Sequence, residues 1–163
     1  MREQLSNRNK INSLVKISLL IALAGVGSYI KFPSPVGSIA LDSLSGYLGV
    51  LLLGIKPGGV ILFIGHLLSS FLSGFPLGAL HLVIAVLMVS CGGVLGYLKQ
   101  KKNYIAIIIT ILCNGILLPG LLAPLLGIGF TIGLIPGLLL SSTANILLAV
   151  IINRILRGNS IGY

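Results

Sequence analysis

The sequence predicts an all-α integral membrane protein of six transmembrane helices, with both termini on the cytoplasmic side. Three observations predict it. The chain is 56% hydrophobic and 8% charged, whereas a soluble domain carries about 25% charged residues. Residues 57–98 and 103–153 contain no Lys, Arg, Asp or Glu, and each stretch accommodates two spans at about 20 residues apiece. Ten of the eleven basic residues fall on one side if the apolar stretches alternate in direction: Arg2, Arg8, Lys10 and Lys16, then Lys56, then Lys99, Lys101 and Lys102, then Arg154 and Arg157, with Lys31 alone on the other. Basic side chains in short loops are retained on the cytoplasmic face, so this pattern sets the topology.

Residues 1–13 are expected to form a cytoplasmic segment, 14–156 the six-helix membrane domain and 157–163 a cytoplasmic tail. Span 1 runs from about Leu14 to Ile30. Its basic flank and the small residues Ala22, Ala24, Gly25, Gly27 and Ser28 imitate a signal peptide, but the alternation of loop charge needs this helix, so it is expected to be retained. The segment Phe32-Pro33-Ser34-Pro35-Val36-Gly37-Ser38 cannot continue a helix and is expected as a fixed extended turn. Span 2 is expected over Ile39–Ile55, followed by a tight inner turn at Lys56-Pro57-Gly58, with the proline placed to start span 3 at Gly58–Ser73. Gly74-Phe75-Pro76-Leu77-Gly78 reverses the chain into span 4, Ala79–Leu98. Span 5 covers Tyr104–Leu118. The Gly- and Pro-rich segment Pro119–Pro136 reads as a third outer connection with a broken helix start, and span 6 descends to about Asn153.

All three outer connections carry proline and glycine. Irregular backbone at membrane depth is tolerated only where protein or a cavity surrounds it, which places a site in the outer half. Small residues recur at four-residue spacing, as in Gly54/Gly58, Gly92/Gly96 and Gly129/Gly133/Gly137, and such ridges let helices approach closely in lipid. Cys91 and Cys113 lack metal-ligand spacing and read as small apolar residues.

Several function classes are excluded. The net charge of +9 is confined to short inter-helix loops rather than a foldable basic face, so nucleic acid is not expected as a partner, and attraction to an anionic membrane leaflet explains it. No phosphate-binding GxxxxGK[ST], GxSxG or dinucleotide fingerprint is present, so the chain alone does not hydrolyse ATP, and no cofactor is expected. An enzyme needs paired acid and base groups, and the bundle has one carboxylate.

That carboxylate, Asp42, is placed one turn into span 2 from the outside. It either faces a partner or cavity, because charge in lipid is costly, or caps the helix start, where Ser38 is the better-placed cap. His66 is mid-depth on span 3 and His81 near the outer end of span 4. Each serves either as a ligand contact or as a hydrogen-bonded structural group. A metal site is the weakest reading, since no HxxxH or HExxH pair exists. Asn114 and Asn145 act as interhelical glue or as hydrogen-bond partners of a ligand. Phe75, on a turn over the expected cavity mouth, is suited to stack on a flat ring.

Six short spans, a proline-bearing outer loop after the first and a first helix rich in small residues resemble the substrate-binding S components of energy-coupling factor (ECF) vitamin transporters. The stretch Pro33-Ser34-Pro35-Val36-Gly37-Ser38-Ile39-Ala40-Leu41-Asp42, and Gly65-His66-Leu67-Leu68 running to Gly74-Phe75-Pro76-Leu77-Gly78 and His81, are similar to S components assigned to α-ribazole, a cobalamin precursor. The resemblance implies a protein of the bacterial cell membrane that captures a vitamin-type small molecule from outside. It also implies partners, a transmembrane coupling subunit and two ATPase subunits that drive uptake. Asp42, His66, His81, Phe75, Asn114, Asn145 and Ser34 are the candidate substrate contacts. The family docks through AxxxA on the first helix; here Ser18 and Ala22, or Ala24 and Ser28 with Gly25 between them, must substitute. The competing reading is a stand-alone proton-coupled carrier using Asp42, His66 and His81, although carriers are commonly larger and built from internal repeats, and none is evident here.

Overall fold

A computed structural model describes residues 2–32, 34, 39–100 and 103–158. Its helices are α1 (Arg2–Gly27), α2 (Leu44–Leu53), α3 (Ile55–Leu72), α4 (Leu80–Leu98), α5 (Asn103–Leu112), α6 (Leu118–Leu126) and α7 (Ile128–Gly158), with a π-helical turn at Cys113–Leu117 joining α5 to α6. Counting α5, the π turn and α6 as one, they make six rods among the described residues. Helices are the expected solution in lipid, because each satisfies its own backbone hydrogen bonds. Five rods are long and apolar enough to cross a membrane; α2 is not.

The second rod departs most from expectation. Only Leu44–Leu53 is helical, about 15 Å at 1.5 Å per residue. Ile39–Ser43 is instead non-helical. Its backbone pairs with the chain leaving α1, through Phe32 N–H to Ile39 O at 2.8 Å and Leu41 N–H to Ile30 O at 3.1 Å. That pairing supplies the hydrogen bonds a helix would have made. Asp42 therefore sits in a turn just before α2, not one turn inside a helix. Ser38 and most of the 32–38 turn lie outside the described residues, as do Lys101 and Lys102.

α2 tolerates its shortness because it is central. It packs on α1, α3, α4 and α7, and residues 45–51 are all buried. Its Tyr47, Leu48, Val50 and Leu51 join Leu62, Met88, Leu95 and Ile146 in the core. The approach to α3 is set by Gly58, where an added Cβ would overlap the Val50 backbone. Gly92 and Gly96 likewise lie against Leu62 and Ile55, whereas Gly129 faces open space.

The inner reversal is shorter than expected. Gly54 alone makes it, with φ at 102°, a left-handed conformation that costs glycine little. Lys56-Pro57-Gly58 forms the first turn of α3, where proline's missing N–H has no helical partner to lose. The outer end of α3 matches the expected turn. Gly74 N–H bonds Phe71 O at 3.0 Å and Phe75 N–H bonds Ser70 O at 2.8 Å, the paired bonds of a glycine-terminated helix.

The Gly- and Pro-rich segment Pro119–Pro136 is helical rather than an outer connection. α5 continues through the π turn into α6, α7 starts at Ile128, and the reversal is confined to Gly127 with φ at 86°. Pro119 explains the π turn. A proline ring clashes with the carbonyl four residues back. Here Leu118 N–H bonds Cys113 O, five residues back, and the widened turn relieves the crowding.

Candidate functional site

The end of the bundle that holds the turn before α2 and the turn between α3 and α4 encloses a cavity of about 80 Å³. Its lining is part polar, from Asp42, Ser43, His66, His81, Asn114 and Ser141, and part aliphatic, from Ile39, Ile84, Met88, Leu118, Leu122 and Leu134. Six elements meet here: the turn before α2, the ends of α3 and α4 that flank the 73–79 turn, the π turn, α6, and the middle of α7.

Asp42, His66 and His81 form a cluster with Ser70. Asp42 is buried, and its Oδ2 lies 3.7 Å from His66 Nδ1. His66 Nε2 is 3.2 Å from His81 Nδ1, with ring centroids 5.3 Å apart. Ser70 Oγ bridges them, 2.8 Å from His81 Nδ1 and 2.8 Å from the His66 carbonyl. Leu77 N–H donates to His81 Nε2 at 3.3 Å.

With both imidazoles neutral, these bonds give one consistent set of proton directions. A neutral imidazole has one donor and one acceptor nitrogen. Leu77 makes His81 Nε2 the acceptor, so the proton is on Nδ1. Ser70 spends its hydroxyl hydrogen on the His66 carbonyl and receives the His81 proton. His66 Nε2 faces that same proton as an acceptor, leaving the His66 Nδ1 proton directed at Asp42. The arrangement is one ordered path from the outer turn to the buried carboxylate, and it presents donors and acceptors at fixed positions to whatever fills the cavity.

Asn114 enters through the π turn. Its Nδ2 donates to Ser142 Oγ at 2.8 Å, tying the π turn to α7. The family model described as "ECF transporter, substrate-specific component" matches residues 12–158. The chain belongs to this family. The S component is thus the substrate-binding subunit of an ECF transporter and a multi-pass membrane protein. A solved structure of the S component of a bacterial ECF transporter has the same fold, with a TM-score of 0.75 and 22% identity over 94% of this chain and 99% of that one. No curated protein sequence matches.

Of the seven candidate contacts in this S component, Asp42, His66, His81 and Asn114 line the cavity. Asn145 does not. Its Nδ2 donates to Ala40 O at 3.0 Å and to Ser141 O at 2.8 Å, fastening the turn before α2 to α7. Phe75 also lies off the lining, with its ring 5.9 Å from His81 and 6.1 Å from Phe71. Ser34 is half-buried and outside the lining. Ser70, Ser43, Ser141 and Met88 were not anticipated; Ser70 follows His66 by one helical turn, the signal that places it on the same face.

The small residues of α1 divide. Ser18 and Ala22 are exposed. Ala24 and Ser28 are buried, Gly25 faces Leu68, and Gly65 of α3 has no room for a side chain beside Ala24. Ala24, Gly25 and Ser28 therefore close α1 onto its own bundle.

Proposed function

We propose that this S component captures a vitamin-type small molecule, α-ribazole foremost, on the outer side of a bacterial cell membrane. A transmembrane coupling subunit and two ATPase subunits then drive its uptake. The observation that carries this reading is the mixed lining of the cavity. A flat benzimidazole suits its aliphatic residues and the histidine rings, and ribose hydroxyls suit Asp42, His66, His81 and Asn114. Ligand sites commonly occupy about 300–1,000 Å³, so the outer connections part to admit a molecule of this size. Asn145 and Ser34 shape the surrounding turn, and Phe75 borders the approach. Both termini are cytoplasmic, and the exposed Ser18 and Ala22 face of α1 docks the coupling subunit.

The test is titration of purified protein in detergent with α-ribazole, cobalamin, riboflavin, thiamine and folate, without ATP or partners. Saturable α-ribazole binding, weakened in Asp42→Asn and His81→Ala, is the expected result. Tight binding of another vitamin reassigns the cargo. Wild-type affinity in both variants sinks the pocket.

The ordered path from Leu77 through the histidines to Asp42 favours a second reading, a stand-alone proton-coupled carrier. Uptake into proteoliposomes driven by a pH gradient without ATP would establish it.

A further inference from the structure

Two buried side-chain polar atoms have no hydrogen-bond partner among the described residues: Asn145 Oδ1 and the Tyr47 hydroxyl. Asn145 still spends its Nδ2 on two carbonyls. Tyr47 has no other polar atom in its side chain, and the residue is fully buried in the middle of α2. A hydroxyl taken out of water without a partner is costly. Phenylalanine would fill the same space without that cost.

Three observations put this hydroxyl under the floor of the cavity. Tyr47 N–H bonds Ser43 O at 3.0 Å, so Tyr47 stands one turn below a residue of the lining. Helical side chains lean toward the N-terminus of their own helix, which for α2 is the cavity end. Tyr47 is also within electrostatic reach of Asp42, Cys91 and Cys113. Asp42 lines the cavity, Cys113 precedes the lining Asn114, and Cys91 is about one turn past the lining Met88 on α4. Finally, Tyr47 shares one apolar cluster with Met88, Leu118 and Leu122, and all three line the cavity.

We propose that Tyr47 is a specificity-determining contact, whose hydroxyl exchanges a hydrogen bond with a hydroxyl at the inner end of the ligand once Met88 turns aside. The proposal rests on the reading of this cavity as the capture site. A phenol both donates and accepts, as a sugar hydroxyl does, whereas an ionised Asp42 only accepts. Met88 is unbranched and has three rotatable bonds, so it leaves the floor more readily than the leucines beside it. The cavity then deepens toward α2. A ligand that is apolar at this end leaves the phenol unpaired and is selected against.

Tyr47→Phe removes one oxygen and keeps the packing. In detergent without ligand, its melting temperature should equal or exceed that of wild type, because an unpaired polar atom is lost. α-Ribazole, titrated calorimetrically into the same preparations, should bind about three- to tenfold more weakly. A tyrosine with a purely structural role would lose stability along with affinity; here the two readouts move apart. A melting temperature clearly below that of wild type means that the hydroxyl is already paired within the fold, and overturns the proposal whatever the ligand. Equal α-ribazole affinity in the two proteins overturns it while leaving the capture site intact. If wild type binds no α-ribazole, the cargo reading falls and this contact falls with it.

Discussion

Ser70 holds the two histidines in one hydrogen-bond pattern. Its hydroxyl donates to the His66 carbonyl and accepts from His81 Nδ1. Ser70→Ala leaves His81 Nδ1 with His66 as its acceptor and lets both rings turn. At about 1 kcal/mol for a buried neutral hydrogen bond, titration should show ligand affinity falling roughly fivefold, with the melting temperature nearly unchanged. At this scale the sequence marked four of the polar residues that line the cavity. Asp42, His66, His81 and Asn114 stand out because charged, imidazole and amide groups are conspicuous in an apolar chain. Ser70 does not, since a serine in a membrane helix commonly bonds its own backbone. Asn145 is conspicuous and buried, yet it lies off the cavity lining and its Nδ2 is spent on Ala40 and Ser141. Residue type and depth alone do not separate these two uses of asparagine.

The shortest helix sits at the centre of the bundle, and glycines allow it to fit there. Gly58→Ala places a methyl against the Val50 backbone, so α3 must retreat from α2. Overpacking of this kind costs about 1–3 kcal/mol, and thermal unfolding in detergent should report a lower melting temperature. The reversal at Gly74–Gly78 was legible from its turn residues, and the four-residue glycine spacing foretold Gly58, Gly92 and Gly96. Pro119–Pro136 was not legible as helix. Proline and glycine signal breaks in soluble chains, but in lipid an unbonded backbone is so costly that the chain keeps its helix and absorbs Pro119 in a π turn. The second rod failed in the opposite sense. An apolar run of adequate length shortened to α2 because Ile39–Leu41 pairs with the chain leaving α1.

At the scale of the whole molecule, basic side chains tie helix ends together. The ends of α2, α4 and α7 are drawn together by Lys99 and Arg157, so the basic residues that predict topology also fasten the bundle. With Cys91 and Cys113 replaced by Ala, a cysteine at Ser73 should react with an impermeant maleimide from outside the cell. Cysteines at Lys56 and Arg154 should react only after permeabilisation. The opposite labelling would invert the topology. Among the described residues α1 packs chiefly on α2 and α3 and leaves Ser18 and Ala22 exposed. Ala22→Leu is expected to abolish most ATP-driven uptake in the assembled transporter while leaving ligand affinity as in wild type. Loss of binding as well would place Ala22 in the fold rather than at the docking face.

The turn before α2 is fastened unequally. On one side buried Asn145 grips Ala40; on the other, Lys31 Nζ reaches Ser73 Oγ at 3.2 Å through an exposed bond. The two outer connections that contribute Ala40 and Leu77 to the cavity wall are thus joined by a link that water can replace. Such a link is worth about 0.5–1.5 kcal/mol, and breaking it carries the cost of admitting and of releasing the ligand alike. Lys31→Met should therefore raise the association and dissociation rate constants together, by about two- to tenfold, and leave Kd close to that of wild type. Stopped-flow traces would record this protein's residence time changing while its affinity stays fixed.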